Sequence, residues 1–132
     1  MKKISLDTNA ILRFLLNDIS NQHKKVKALV TKASRKEIVL KIPEIVVFET
    51  IFALTTYYSF DKDRVINAVE TIVSVQYLDV ESRKIFLEAI NLFRQSNVEF
   101  VDCFLVAKST CDKYELFSFD KKLNKLINSL KA

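Results

Sequence analysis

The chain of 132 residues is long enough to bury a core of its own, and we expect one domain over residues 1–132. Its hydrophobic fraction of 49% and charged fraction of 28% exclude a disordered chain. The formal net charge of +5 favours an anionic partner. Nucleic acid is the best single candidate, because its regularly spaced phosphate groups attract lysine and arginine side chains that are dispersed over a surface.

Residue types that are absent or rare exclude several classes of site. Glycine is absent, which excludes the phosphate-binding loop, the dinucleotide fingerprint and the nucleophile elbow. His23 is the only histidine, so we expect neither a histidine base nor a histidine-rich zinc site. Cys103 and Cys111 lack a metal-type spacing, so we expect reduced thiols in a cytoplasmic protein. The longest uncharged stretch, residues 50–60, is too short to cross a bilayer, and we expect no membrane association.

The first half of the chain alternates predicted strands and helices. In chain order these are a strand over residues 2–6, helices over 9–16 and 21–36, a strand over 38–41 and a helix from 43 to about 58. Ser20 suits the N-cap of the second helix, and Pro43 suits the first turn of the third. The third helix competes with β structure, because Ile, Val, Phe and Thr are plentiful there.

The second half continues the alternation. Its predicted elements are a helix capped by Asp61 and running to about 75, a strand over 77–80, helices over 81–95 and 96–112, a strand over 115–119 and a helix over 121–130. The 81–95 helix has a 3.6-residue apolar period, and Ser96-x-x-Glu99 has the pattern of a capping box that opens the next helix. Short strands separated by helices predict an α/β fold with a parallel sheet covered on both faces.

Four carboxylates stand in apolar surroundings. Asp7 follows residues 4–6, Glu49 is the only charged residue between 45 and 60, Asp102 interrupts residues 100–106, and Asp120 follows residues 116–119. A carboxylate in such surroundings resists ionisation unless a cation or hydrogen bonds compensate it. In parallel sheets ligands bind beyond the carboxyl ends of the strands, where Asp7 and Asp120 are expected. If the fold gathers all four carboxylates, a divalent metal is the natural compensation.

Three of the four carboxylates also have a purely structural interpretation. Asp7 and Asp120 suit the N-caps of the helices that follow them as well as they suit a metal. Glu49 can lie on a solvated stripe of its helix. Glu99, one turn before Asp102, fits the capping box slightly better than a metal role. Asp102 has no comparable structural alternative, and like charges at this helical spacing repel.

With these residues in this order, the sequence resembles those of the PIN-domain nucleases, in particular the VapC-type ribonuclease toxins of toxin–antitoxin pairs. The resemblance covers essentially the full length. Its matching segments are Leu6-Asp7-Thr8-Asn9, Glu49 in the third helix, residues 98–107 with Glu99 and Asp102, and residues 117–120 with Ser118 and Asp120. Cys103-Phe104 replaces the smaller residues typical after the third acid, a departure that removes no ligand.

The resemblance implies a Rossmann-like fold, a three-layer α/β/α sandwich with a central, mostly parallel sheet. It also implies hydrolysis of RNA phosphodiester bonds with Mg²⁺ or Mn²⁺, a homodimer and a cognate antitoxin partner. The residues that carry over are the catalytic metal-binding carboxylates Asp7, Glu49, Asp102 and Asp120, with Asn9, Glu99 and Ser118 in support.

Two rival functions stay open beside the nuclease. One is a catalytically silent module of the same fold that binds RNA or protein. The other is a phosphotransfer domain, although Asp7-Thr8-Asn9 lacks the second aspartate of the haloacid dehalogenase type. Cations crowd residues 24–36 and 121–131, where a solvated helix face is the commoner explanation and nucleic-acid binding the alternative. The cations expected nearest the carboxylates are Arg13, Lys108, Lys121 and Lys122.

Overall fold

A computed structural model describes residues 1–131 of the chain. These residues form two compact units, the first over Met1–Ser82 and the second from Arg83 onward. Within residues 1–131, no helix combines the length and the apolar character needed to span a membrane.

The amino-terminal unit is built on a parallel sheet of three strands in the order β1-β2-β3. Lys3 of β1 lies opposite Val39 of β2, and Leu40 of β2 lies opposite Leu78 of β3. The elements of this unit, in chain order, are β1 (Lys3–Ser5), α1 (Thr8–Leu16), α2 (Ser20–Ser34), β2 (Val39–Ile42), α3 (Glu44–Thr56), α4 (Lys62–Val73) and β3 (Leu78–Val80). The prediction of an α/β fold with a parallel sheet is therefore confirmed.

Apolar residues of the strands and helices form the core of this unit. Leu40 and Ile42 of β2 are fully buried, as is Leu54 of α3. Lys41, which alternates with them along the strand, is exposed and forms a 2.7 Å ion pair with Asp79. This period-two alternation is what a strand with one buried face requires.

The second unit contains three helices, α5 (Arg83–Gln95), α6 (Phe100–Cys111) and α7 (Lys121–Leu130). The helix with the clearest apolar period is confirmed as α5, which buries Phe86, Ala89 and Ile90. The ring of Phe86 lies 4.8 Å from that of Phe104 and 6.3 Å from that of Phe100, both on α6. Aromatic burial therefore joins α5 to α6.

The strand predicted over residues 115–119 is wrong. This segment has no regular secondary structure, and the side chains of Phe117 and Phe119 are 82% and 90% exposed. Its apolar alternation suits a strand, but a strand forms only when its N–H and C=O groups pair with a neighbour. Within the described part of the chain, the sheet has three strands and this segment belongs to none of them.

Three predicted helix starts are also corrected. Ile19, rather than Ser20, occupies the N-cap of α2 and offers no capping hydrogen bond. Pro43 is the N-cap of α3 instead of a residue of its first turn. The Ser96–Glu99 capping box does not form, because Glu99 is itself the N-cap of α6 and its side chain caps nothing. The Ser96 hydroxyl instead accepts a hydrogen bond from the N–H of Val98 at 3.3 Å.

Candidate metal centre

Three carboxylates of the second unit line one cavity of about 330 Å³. Asp102 lies in the first turn of α6, Glu99 is the residue immediately before that helix, and Asp120 is the residue immediately before α7. The remaining lining residues are Asn97, Val98, Lys121 and Lys122. The loops that lead into α6 and α7 thus bring together residues that are far apart in the sequence.

Asp102 is the most perturbed acid of this cavity. Partial burial raises its pKa above the ordinary aspartate value of 3.8, and the negative charges of Asp120 and Glu99 raise it further. The three carboxylates therefore repel one another, and each loses part of this repulsion if a cation enters.

Hydrogen bonds hold Asp120 at the start of α7. Its Oδ1 accepts a hydrogen bond from the Leu123 N–H at 2.8 Å, so the expected N-cap is confirmed. Its own N–H donates to the Ser118 hydroxyl at 2.9 Å, and the Asn124 amide donates to the Ser118 carbonyl at 2.8 Å. Ser118 therefore positions the backbone of Asp120. Within residues 1–131, the Oδ2 of Asp120 accepts no hydrogen bond and stays free for a cation.

Asp7 belongs to the amino-terminal unit, where it lies just beyond the carboxyl end of β1. Its Oδ1 accepts a hydrogen bond from the Ala10 N–H at 2.8 Å, so Asp7 is the expected N-cap, here of α1. Its side chain and that of Asn9, in the first turn of α1, are both exposed. One Asp7 oxygen thus serves the helix and the other faces solvent.

Glu49 lies on α3 and is exposed. Its helical neighbours Ile45 and Phe52 are 62% and 59% exposed, although both are apolar. The premise that Glu49 lies in apolar surroundings is therefore wrong, and the alternative of a solvated stripe describes its position. The Glu49 carboxylate is therefore accessible to an ion or a partner, and the fold does not pay a desolvation cost to hold it there.

The cations expected near the carboxylates divide into two groups. Lys121 and Lys122 line the cavity and form no ion pair within the described residues. Lys108 instead pairs with Asp112 at 3.4 Å. Arg13 pairs with Asp18 at 3.3 Å and donates a hydrogen bond to the Tyr58 hydroxyl at 2.9 Å.

Asn97 is the residue of the cavity lining that sequence patterns did not indicate. A single amide side chain has no characteristic spacing to other residues that would mark it as part of a site.

The donor set of this cavity fits a hard divalent cation. Carboxylate oxygens are the ligands that Mg²⁺ and Mn²⁺ prefer. Among the described residues, no group of three or more His, Cys, Asp or Glu side chains is placed to hold a metal ion. Glu99, Asp102 and Asp120 therefore line an electronegative cavity whose donor atoms suit such an ion, although the three side chains do not form a metal site as they stand.

Comparison with known proteins adds independent support for the family. A family model of the PIN domain matches residues 4–127. The chain belongs to the PIN-domain family. It is also similar to a VapC ribonuclease of Aquifex aeolicus (strain VF5), with 30% identity over 125 residues that cover 92% of this chain and 90% of the relative. The resemblance stated from the sequence motifs is thereby confirmed, and so is the α/β fold class of this PIN-domain chain.

Proposed function

We propose that this PIN-domain protein is a metal-dependent endoribonuclease that hydrolyses RNA phosphodiester bonds, and that it is the toxin of a toxin–antitoxin pair. Family membership and the ribonuclease relative support a nuclease. The observation that carries the proposal is the cavity in which Asp102, Asp120 and Glu99 meet beside Lys121 and Lys122. Carboxylates for a cation and lysines for a phosphate are what phosphodiester hydrolysis requires.

The proposed metal ligands are Asp7, Glu49, Asp102 and Asp120, with Mg²⁺ or Mn²⁺ as the ion. A bound divalent cation supplies Lewis-acid chemistry, lowering the pKa of a water and neutralising charge on the scissile phosphate. Asp120 contributes its free Oδ2 while its Oδ1 caps α7. Asp7 divides its two oxygens in the same way at the start of α1. Asn9, Glu99 and Ser118 support these ligands, Ser118 through its hydrogen bond to the Asp120 backbone.

Lys121 and Lys122 supply the complementary charge. A cavity lined only by acids repels an RNA phosphate, whereas two exposed lysines at its rim attract one. Neither lysine forms an ion pair within residues 1–131, so both ammonium groups are available to substrate. No side chain need act as the nucleophile, which agrees with a chain whose only histidine lies on α2.

The decisive variant is Asp102→Asn, which removes one charge and keeps the shape of the side chain. We expect this variant to lose RNA cleavage and to bind Mn²⁺ more weakly in a calorimetric titration, while its circular dichroism spectrum is unchanged. The matched control is Asp112→Asn, the same change at the end of the same helix, where only an exposed ion pair to Lys108 is lost. Cleavage by Asp102→Asn at the rate of the wild type would refute the proposal.

The second candidate is a catalytically silent PIN-domain module that binds RNA or protein. It is favoured by the finding that, among the described residues, no group of three or more His, Cys, Asp or Glu side chains is placed to hold a metal ion. A silent module binds Mn²⁺ no better than the Asp102→Asn variant does. Equal Mn²⁺ titrations of the two proteins would therefore select this candidate.

The proposal extends to partners and location. We propose a homodimer in the cytoplasm that is inhibited by a cognate antitoxin. Ile45, Phe52 and Tyr57, at 62%, 59% and 73% exposure, form an apolar surface that suits such contacts. Phe52→Ser should lower the mass of the purified protein in analytical ultracentrifugation to that of one chain. An unchanged mass would show that this surface is not the dimer interface.

The antitoxin is tested by co-expression with the protein encoded by an adjacent small reading frame.

A further inference from the structure

The most unusual surface of the amino-terminal unit is the exposed side of α2. No acidic residue occurs between Ser20 and Lys36. The cations within this stretch are all exposed: Lys24, Lys25, Lys27, Lys32, Arg35 and Lys36. None of them forms an ion pair within residues 1–131. Lys41 and Lys108, by contrast, form ion pairs with Asp79 and Asp112.

Four of these cations form what we call the α2 basic face, namely Lys24, Lys25, Lys32 and Arg35. At 100° per residue they fall within an arc of about 100°, and they extend over about 16 Å of helix length. The opposite side of α2 buries Val26 and Ala33, and α2 packs against α1 and β2. The basic face is therefore fixed in orientation by the core.

This arrangement opposes the stability of the helix. Lys32 and Arg35 are three residues apart, and like charges at that spacing repel. Acids placed one turn away would stabilise α2, and its sequence contains none. An anion of matching length that lies along the helix would relieve this repulsion, which dissolved salt otherwise only screens.

We propose that the α2 basic face binds the sugar-phosphate backbone of single-stranded RNA, at a place in the chain separate from the carboxylate cavity of the second unit. The proposal rests on the proposed ribonuclease function for its choice of nucleic acid. A row of cations matches a chain of evenly spaced phosphates, and such contacts hold RNA without reading its sequence.

The residues around these cations argue against a membrane or a protein as the anionic partner. They include Asn21, Ala28 and Thr31, which are exposed and small. A helix that binds a membrane surface carries large apolar side chains on its other face, and here that face is in the core. A protein interface needs an apolar or aromatic centre, which this face lacks. A polyphosphate backbone requires neither.

The test measures RNA binding in EDTA, where cleavage is stopped, with a fluorescent single-stranded RNA of mixed sequence. The variant is Lys24→Gln, Lys25→Gln, Lys32→Gln and Arg35→Gln together, because glutamine keeps helix propensity close to that of lysine and arginine. We expect affinity at 0.1 M salt to fall at least about tenfold, and the slope of log affinity against log salt to fall by about 3, since each phosphate contact on a single strand contributes about 0.7.

The matched control removes four charges from the second unit, as Lys84→Gln, Lys113→Asn, Lys125→Gln and Lys131→Gln. All four side chains are exposed, and asparagine suits the positive φ of 60° at Lys113. A control that binds RNA at least threefold more tightly than the α2 variant supports the proposal. Equal losses in both variants, or wild-type affinity and slope in the α2 variant, overturn it.

Two further measurements separate the possible failures. If the wild type neither binds nor cleaves RNA, the proposed function fails together with this inference. If the wild type cleaves RNA and the α2 variant binds RNA normally, this inference alone fails. Polyglutamate and vesicles of anionic phospholipid serve as probes of the other partners. Binding of either that depends on the α2 basic face, with RNA binding unaffected, also overturns the proposal.

Discussion

Asp102 and Asp120 lie eighteen positions apart in the sequence, yet after partial burial the charge of Asp120 is the next largest cause that raises the pKa of Asp102. Asp120 is held by its cap on α7, and Asp102 by the first turn of α6. The carboxylate of Asp120 cannot move away from that of Asp102 without losing the hydrogen bond that caps α7. The protein thus maintains a repulsion between two carboxylates, and a bound cation is the simplest reason for a fold to keep such a pair.

The partial burial of Asp102 and its repulsion by Asp120 and Glu99 together predict a pH dependence of stability in the metal-free protein. Because the pKa of Asp102 is raised on folding, the folded state binds the proton more tightly than the unfolded state does. The free energy of unfolding therefore falls as pH rises from the ordinary value of 3.8 through the raised value, and the penalty is fully present above it. In EDTA at pH 7, Asp102→Asn should be more stable than the wild type. Urea unfolding between pH 3 and pH 7 measures the difference, which should shrink toward acid pH.

The control for this prediction is Asp112→Asn, whose exposed ion pair with Lys108 has little effect on stability. A wild-type protein as stable as Asp102→Asn at every pH would show that neither burial nor the neighbouring carboxylates raise the pKa of Asp102. Adding Mn²⁺ should reverse the order of stability at pH 7, because the ion binds the folded wild type and stabilises it by about 2.7 kcal/mol at one hundred times its dissociation constant.

Asp7 allows the capping role to be separated from the metal role. Asparagine caps a helix about as well as aspartate, so Asp7→Asn should keep the hydrogen bond from the Ala10 N–H and unfold within about 0.5 kcal/mol of the wild type. Asp7→Ala should lose the cap and about 1 kcal/mol. If Asp7 is a metal ligand, both variants lose RNA cleavage. An active Asp7→Asn beside a destabilised Asp7→Ala would assign Asp7 to the cap alone.

Local signals in the sequence predicted much of this structure. The apolar period of residues 81–95 predicted the burial of Phe86 and Ala89 in α5, because helix geometry alone places those residues on one face. Asp61 was predicted as a cap from its neighbours, and its Oδ1 accepts a hydrogen bond from the Arg64 N–H at 2.9 Å. An N-cap hydrogen bond involves only four consecutive residues, so it can be predicted from the local sequence.

Features that depend on distant residues could not be predicted in the same way. The exposure of Glu49 could be stated only as an alternative, because α3 is apolar on every side and such a helix does not indicate which face is buried. The segment 115–119 was predicted as a strand from its own residues, whereas pairing depends on a neighbour. The meeting of Asp102 with Asp120 was expected only through the family resemblance, since no local pattern connects the starts of α6 and α7.

The first turn of α2 lacks a side-chain capping hydrogen bond, and a substitution at the N-cap can supply one. Ile19 occupies the N-cap with extended backbone angles of φ −123° and ψ 97°, and it gives no side-chain hydrogen bond. Serine at this position can accept a hydrogen bond from an N–H of the first turn. Ile19→Ser should therefore have a free energy of unfolding about 1 kcal/mol above that of Ile19→Ala, which loses the same partly buried side chain. Thermal unfolding checks this, with Ile19→Ala as the control that removes the same apolar side chain without adding a cap.

A pair of phenylalanine variants tests the second unit. Phe86 is fully buried between α5 and α6, so Phe86→Ala should destabilise the protein by about 3–5 kcal/mol through lost burial and the cavity left behind. Phe119 is 90% exposed, and its ring contacts that of Phe117 at 5.2 Å. Phe119→Ala should change stability by less than about 0.5 kcal/mol. Urea unfolding compares the two, and a loss at Phe119 near that at Phe86 would mean that residues 115–119 are buried in solution as the strand that their sequence pattern predicts.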